Sequence, residues 1–309
     1  MRKLNYKLLG LAFLAVSFTA CDEEGLGANG EVEAAMGELY GEAESAASRM
    51  FKHADEAMRK LDAGDPLPYT INEATFDEDA TTPGTYFLDY GAGKTPGGVL
   101  TEGKLIITRT GSNYLTPGSS VGIGFDEYKE AGKPITGSIT ATNVSDANTT
   151  KFELDVAGLT VVGDESTDED GNTVPGKALE LTSDKTLEWT AGAATLNDIS
   201  DDVYTLSNTA GGNGTSAKYD SEQYTFTINL TSPLKIDNSC SFRLLEGVID
   251  LDMSTTIDPS PLAFDKASID FLVGDGANSD GCDGFFEISL ENTETGAKVS
   301  DLTRQFKGF

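Results

Sequence analysis

Few side chains in this chain can do chemistry in the usual combinations. His53 is the only histidine, flanked by Lys52 and Asp55. A zinc site of ordinary composition needs several histidine or cysteine ligands. A serine triad would have to recruit His53 without a G-x-S-x-G turn near it. No Walker A sequence occurs, and Gly91-Ala92-Gly93 lacks the following helix that a phosphate loop requires. Acidic residues, by contrast, are concentrated in two loops. In Asp164 to Asn172 (DESTDEDGN), Asp168, Asp170 and Gly171 fall at ligand, ligand and turn positions of a calcium loop. Ser166 stands at the first ligand position and Lys177 at the last, where a bidentate glutamate belongs. Calcium at Asp168 and Asp170 is therefore set against a solvated hairpin connection, and Asp275 to Asp283 (DGANSDGCD) is a weaker second candidate. No other cofactor is implied. A hydrolase using two carboxylates needs them close in space and not in sequence, so 51 acidic residues neither reveal nor exclude one. The single tryptophan, Trp189, ends the alternation Leu187-Glu188-Trp189, which favours a core position. Tyr86, Tyr90, Tyr114 and Tyr128 are left as candidate contacts for a glycan.

The N-terminus carries a different kind of chemistry. Arg2, Lys3 and Lys7 precede an uncharged apolar run, Leu8 to Phe18, and Phe18-Thr19-Ala20 leads directly into Cys21. The run is too short for a permanent membrane span, which takes about 20 apolar residues, and it reads as a secretory signal over residues 1–20. The segment resembles the lipobox of bacterial lipoproteins, with Phe18 where leucine is usual. That resemblance implies acylation of Cys21, with multiple chains giving firm anchoring; an ordinary cleavage after Ala20 is the alternative. Asp22, Glu23 and Glu24 follow, and such an acidic cluster resembles the surface-export signal of Bacteroidota lipoproteins. An aspartate in second place also resembles the inner-membrane retention signal of enterobacteria. The outer-membrane surface is the expected address, and a periplasm-facing position is the alternative.

Charge narrows the partners. The whole chain has a formal net charge of −29, and removing residues 1–20 would take away three cations and no acid. A field of that sign excludes nucleic acid and charge-driven docking on anionic lipid. It is otherwise the mark of a solvated, association-resistant surface. Apart from Cys21, the cysteines are Cys240 and Cys282. In an exported chain these two are expected to form a disulfide, with two unpaired thiols as the alternative. A redox pair would need closer spacing.

The elements that must position these groups follow from periodicity. Residues 21–30 read as an acidic, small-residue tether. Glu31 to Ala63 reads as one helix, with Met36, Leu39, Tyr40, Ala43, Ala47, Met50, Ala54 and Leu61 on its apolar stripe. Gly64-Asp65-Pro66 ends it. An alanine-rich stripe is suited to close packing on a sheet; a spacer role is the alternative. From Tyr69 the period changes to two, in runs such as Lys104–Thr110, Ile135–Val144, Phe152–Val162, Tyr224–Leu230, Phe242–Met253 and Ser268–Val273. Strands without intervening helices imply antiparallel pairing. The expected fold is mainly β: one long N-terminal helix, then an antiparallel sandwich or extended meander over residues 69–309, as one body or two subdomains.

Several segments together resemble a group of uncharacterised β-rich surface lipoproteins of Bacteroidota. They are Asp89-Tyr90-Gly91-Ala92-Gly93, Glu102 to Thr108, Pro117 to Val121, Phe125 to Tyr128, and Gly274-Asp275-Gly276 with Cys282-Asp283. A cysteine expected near Gly93 is missing. The resemblance implies address and fold but supplies no activity. The functional expectation is thus a lipid-anchored, non-catalytic β domain that binds or scaffolds another envelope component. A glycan-binding surface module and a carboxylate-dependent hydrolase are the alternatives.

Overall fold

The computed structural model of the chain describes residues 27–305 apart from 168–170, 197, 211, 213, 241–242, 259 and 272–284. It is mainly β, with one N-terminal α-helix and a large open antiparallel sheet. The helix spans Gly27–Ala63, four residues more than periodicity predicts at its start. It closes at Gly64, whose φ of +86° favours a residue without Cβ, and the amides of Gly64 and Asp65 cap the carbonyls of Leu61 and Lys60.

Eighteen strands among the described residues form one sheet. It begins as a meander: Tyr69–Ile71, Ala74–Glu78, Thr85–Lys94, Thr101–Thr110, Ser120–Glu130, Thr136–Asn143, Thr150–Val162 and Ala178–Ala191, each antiparallel to its predecessor. The last of these forks. Its first half pairs with Thr215–Tyr219 and its second with Val203–Asn208. One branch runs on through Tyr224–Leu230, Val248–Thr255, Lys266–Asp270 and Phe285–Glu291 to Lys298–Gln305. The other continues through Leu234–Asp237 to Arg243–Glu246. The expected single run Phe242–Met253 is thus two strands. They divide at Gly247, whose φ is +118° and where a Cβ would come within 2.6 Å of Leu234 Cδ2.

The helix does not lie on this sheet by one stripe; the sheet curves round it. No residue from Glu33 to Arg59 is fully exposed. Phe51 packs edge-on against Phe152 and Tyr204, and Tyr40 against Phe226, while His53 on the opposite side meets Tyr90. Gly37 and Gly41 let Phe285–Glu291 approach closely: a Cβ on them would meet Ile288 at 3.2 Å and Phe286 at 3.3 Å. These two glycines cost helix stability and are retained by contact. The incompletely covered stripe is Ala35, Glu38, Glu42, Arg49, Lys52, Glu56 and Lys60, which is charged where the packed sides are mostly apolar. The helix therefore serves as the central core element and not as a spacer. No helix among the described residues is long and apolar enough to cross a membrane.

Candidate functional site

Enclosing a helix rich in charges forces each charge to find a partner, because an unpaired ion in the interior costs several kcal/mol. Three clusters meet that demand. Glu44 pairs with Lys185, and the Tyr40 hydroxyl donates to Glu44 Oε1 at 2.6 Å. Glu44 and Lys185 side chains are 3% and 2% exposed. Farther along, Arg59 binds both Asp55 and Asp202, with its Nε 3.0 Å from Asp55 Oδ2. Its guanidinium carbon stands 4.6 Å above the Trp189 ring, and the Tyr204 hydroxyl donates to Asp55 Oδ2 at 3.2 Å. Burial pushes the Asp202 carboxyl up to about 6, against the pull of Arg59. Burial likewise raises Asp55, again opposed by Arg59. The third cluster joins Arg49 to Glu130, which accepts from the Tyr128 hydroxyl at 2.9 Å, and Arg49 also donates to Ser45 Oγ at 2.7 Å.

His53, the one candidate imidazole, is buried and paired through Nδ1 with the Tyr90 hydroxyl. Burial first, then the charges of Lys52 and Arg49, push it down to about 3. It is therefore a neutral core group at neutral pH. With His53 7% exposed, it is closed to a substrate. The same holds for the aromatic candidates: Tyr86, Tyr90, Tyr114 and Tyr128 are all 5% exposed or less. They are core residues, so the expectation that they could contact a glycan is corrected. Trp189 is buried as its alternation implies and stacks on Tyr204 with ring centres 5.9 Å apart.

Other expected site residues fall elsewhere. Cys21 and its acidic followers Asp22, Glu23 and Glu24 lie outside the described residues, as do Asp168, Asp170 and the second acidic loop. Flanking the first loop, Ser166–Thr167 and Thr173–Val174 pair as a short hairpin. No three His, Cys, Asp or Glu side chains among the described residues are grouped to hold a metal ion. Cys240 is buried and is the one cysteine among the described residues, so no complete disulfide can be drawn within them. It is disulfide-bonded, and its expected partner Cys282 lies outside them.

Sequence reasoning missed Lys185, Asp202 and Glu44. One signal was present: Lys185 falls in phase with Leu179, Leu181, Leu187 and Trp189, the inward row of Ala178–Ala191. A lysine in that row has to meet a buried acid.

Open concave surface lies away from these clusters. A cleft of about 740 Å³ on the outer side of Ala74–Glu78, Thr85–Lys94 and Thr101–Thr110 is lined by Asp77, Phe87, Asp89, Lys104 and the curled segment Gly91–Lys94. Strand irregularities at Gly91 produce that curl, with φ of +61° and +137° at Gly91 and Gly93. A neighbouring cleft of about 410 Å³ shares Gly91 and is lined by Glu102, Phe125, Glu127 and Lys129. Its floor is a bulge at Gly103, where a Cβ would collide with the Glu127 carbonyl oxygen at 2.3 Å. Where the helix stripe shows, Arg49 and Glu130 border a smaller cavity of about 50 Å³. No protein-family model, curated protein or solved structure matches the chain.

Proposed function

We propose that the chain is a lipid-anchored, exported envelope protein whose β domain binds or scaffolds another envelope component without catalysing a reaction. The anchor in this reading is acylated Cys21, and Asp22, Glu23 and Glu24 direct it to the outer-membrane surface. The observation that supports a binding role is the pair of open clefts on the outer face of the sheet, while the one histidine and the Asp55–Arg59–Asp202 cluster are enclosed in the core, with Asp55 and Asp202 2% and 0% exposed.

Two measurements test the proposal. Cells fed an alkyne fatty acid should label the native chain and not the Cys21→Ser variant; label retained in the variant refutes the anchor. Cross-linking in intact cells, followed by purification in mild detergent, should recover a cross-linked envelope component. Recovery only as a lone monomer refutes the binding role.

A further inference from the structure

The outer face of the sheet carries a patch that packing within the chain does not explain. Phe87 and Ile106 are half-buried and face away from the helix, because their neighbours Tyr86, Leu88, Leu105 and Ile107 fill the core. Beside them in register stand two glycines: Ile106 pairs with Gly124 and Thr108 with Gly122. Neither glycine has a positive φ. A Cβ on either would come no nearer than 3.9 Å to another atom. Glycine inside a strand weakens it, and where neither turn nor crowding requires it, glycine marks a close approach by another molecule.

The patch runs into the large cleft. Asp77 is opposite Phe87, Phe87 opposite Ile106, and Ile106 opposite Gly124, a strip crossing four strands. One long side is bordered by Asp89, Lys104 and Asp126, in register with each other. The other is bordered by Thr108 and by Thr140, which pairs with Gly122. Lys104 Nζ stands 5.7 Å from the Phe87 ring centre and 3.3 Å from Asp89. An apolar ring and the Ile106 side chain, with a side-chain-free shelf on the next strand, framed by carboxylate acceptors, an ammonium donor and hydroxyls, match one kind of ligand. A pyranose has a face of C–H groups that lies on an aromatic ring and a rim of hydroxyls that bonds to such a frame.

We infer that this strip binds a neutral oligosaccharide, with one sugar ring on Phe87, the chain crossing Ile106, and a further ring over Gly124 and Gly122. The inference rests on the binding role proposed above and names its ligand class. The net charge of −29 disfavours a polyanionic glycan. A protein partner is disfavoured because the strip offers two apolar side chains, far short of the desolvated core that a stable interface needs.

The test uses the full chain in detergent against neutral and acidic oligosaccharides by calorimetry, with Phe87→Ala and Gly124→Val as variants. Neutral oligosaccharides should bind, and each variant should weaken binding by about tenfold or more without lowering the melting temperature in Gly124→Val. Binding that survives both substitutions, or no neutral oligosaccharide bound, overturns the inference. If cross-linking still recovers an envelope partner while no sugar binds, the sugar site fails and the broader binding role stands. Loss of that protein partner in Phe87→Ala, with no sugar bound, also overturns it.

Discussion

Two buried titrations should oppose each other in this protein, and single substitutions should separate them. Asp202 is held near 6 in the fold against 3.8 for the ordinary carboxyl, chiefly by burial. The folded state therefore binds that proton more tightly than the unfolded chain. Its stabilisation is complete at low pH and is lost as pH rises from about 4 to about 6. His53 is held near 3 against 6.5, by burial and by the charges of Lys52 and Arg49. There the unfolded chain takes up the proton first, so stability present at neutral pH is lost as pH falls from about 6.5 toward 3. Each group moves stability by about 1.4 kcal/mol per pH unit. Between about pH 4 and 6 each accounts for at most about 3 kcal/mol, in opposite directions, with the Asp202 share reduced by solvent screening. Asp202→Asn keeps an oxygen for Arg59, and His53→Asn keeps an acceptor for the Tyr90 hydroxyl. Urea unfolding at stepped pH, followed by fluorescence of Trp189, reads the result. Trp189 is the sole tryptophan and lies against Arg59 and Tyr204. Relative to the native chain, Asp202→Asn should gain about 1–3 kcal/mol between about pH 4 and 6, and His53→Asn should lose about 2–3 kcal/mol. Stability curves that stay parallel to the native one, whatever their offset, would refute the reasoning.

Three further outcomes are expected. Lys185→Met strands the Glu44 carboxylate with only the Tyr40 hydroxyl beside it and should cost about 3–5 kcal/mol; combining it with Glu44→Gln should recover most of that, and urea data showing simple additivity would count against a coupled pair. Gly41→Leu improves helix propensity but drives a side chain into Phe286, so a loss of about 1–3 kcal/mol is expected by thermal unfolding; a higher melting temperature would contradict the packing. Gly124→Thr fills open space on a strand and should stabilise the fold by about 0.5–1 kcal/mol, which a lowered melting temperature would disprove.

The sites differ in how far they could be read beforehand. Tyr224–Leu230 was legible to the residue because its alternation faces core on one side and solvent on the other. The run from Phe242 was misjudged because Gly247 breaks it for a reason 13 residues away, the close approach of Leu234. His53 and the four tyrosines were legible as residues able to do chemistry, yet their burial was not, since a helix stripe and a strand alternation give no account of how many sheets or turns of sheet will cover them. The Phe87 strip was visible only as a Gly-x-Gly pair in an apolar run. Its meaning depends on the register that sets Gly124 beside Ile106 and Ile106 beside Phe87.

By itself the sequence determined one helix over most of Gly27–Ala63, an antiparallel β body after it, and a strongly negative net charge. Those properties are local or additive: periods of 3.6 and 2, turn residues, and a sum of charges. Tertiary structure alone decided that the sheet would curve round the helix and that Lys185, Arg59 and Arg49 would neutralise Glu44, Asp202 and Glu130 inside it. Arg59 and Asp202 are 143 positions apart, and Glu44 and Lys185 are 141. Pairing across such distances is set by the curvature of the whole sheet. Only that enclosure makes each pairing obligatory, by removing the water that would otherwise solvate the charges.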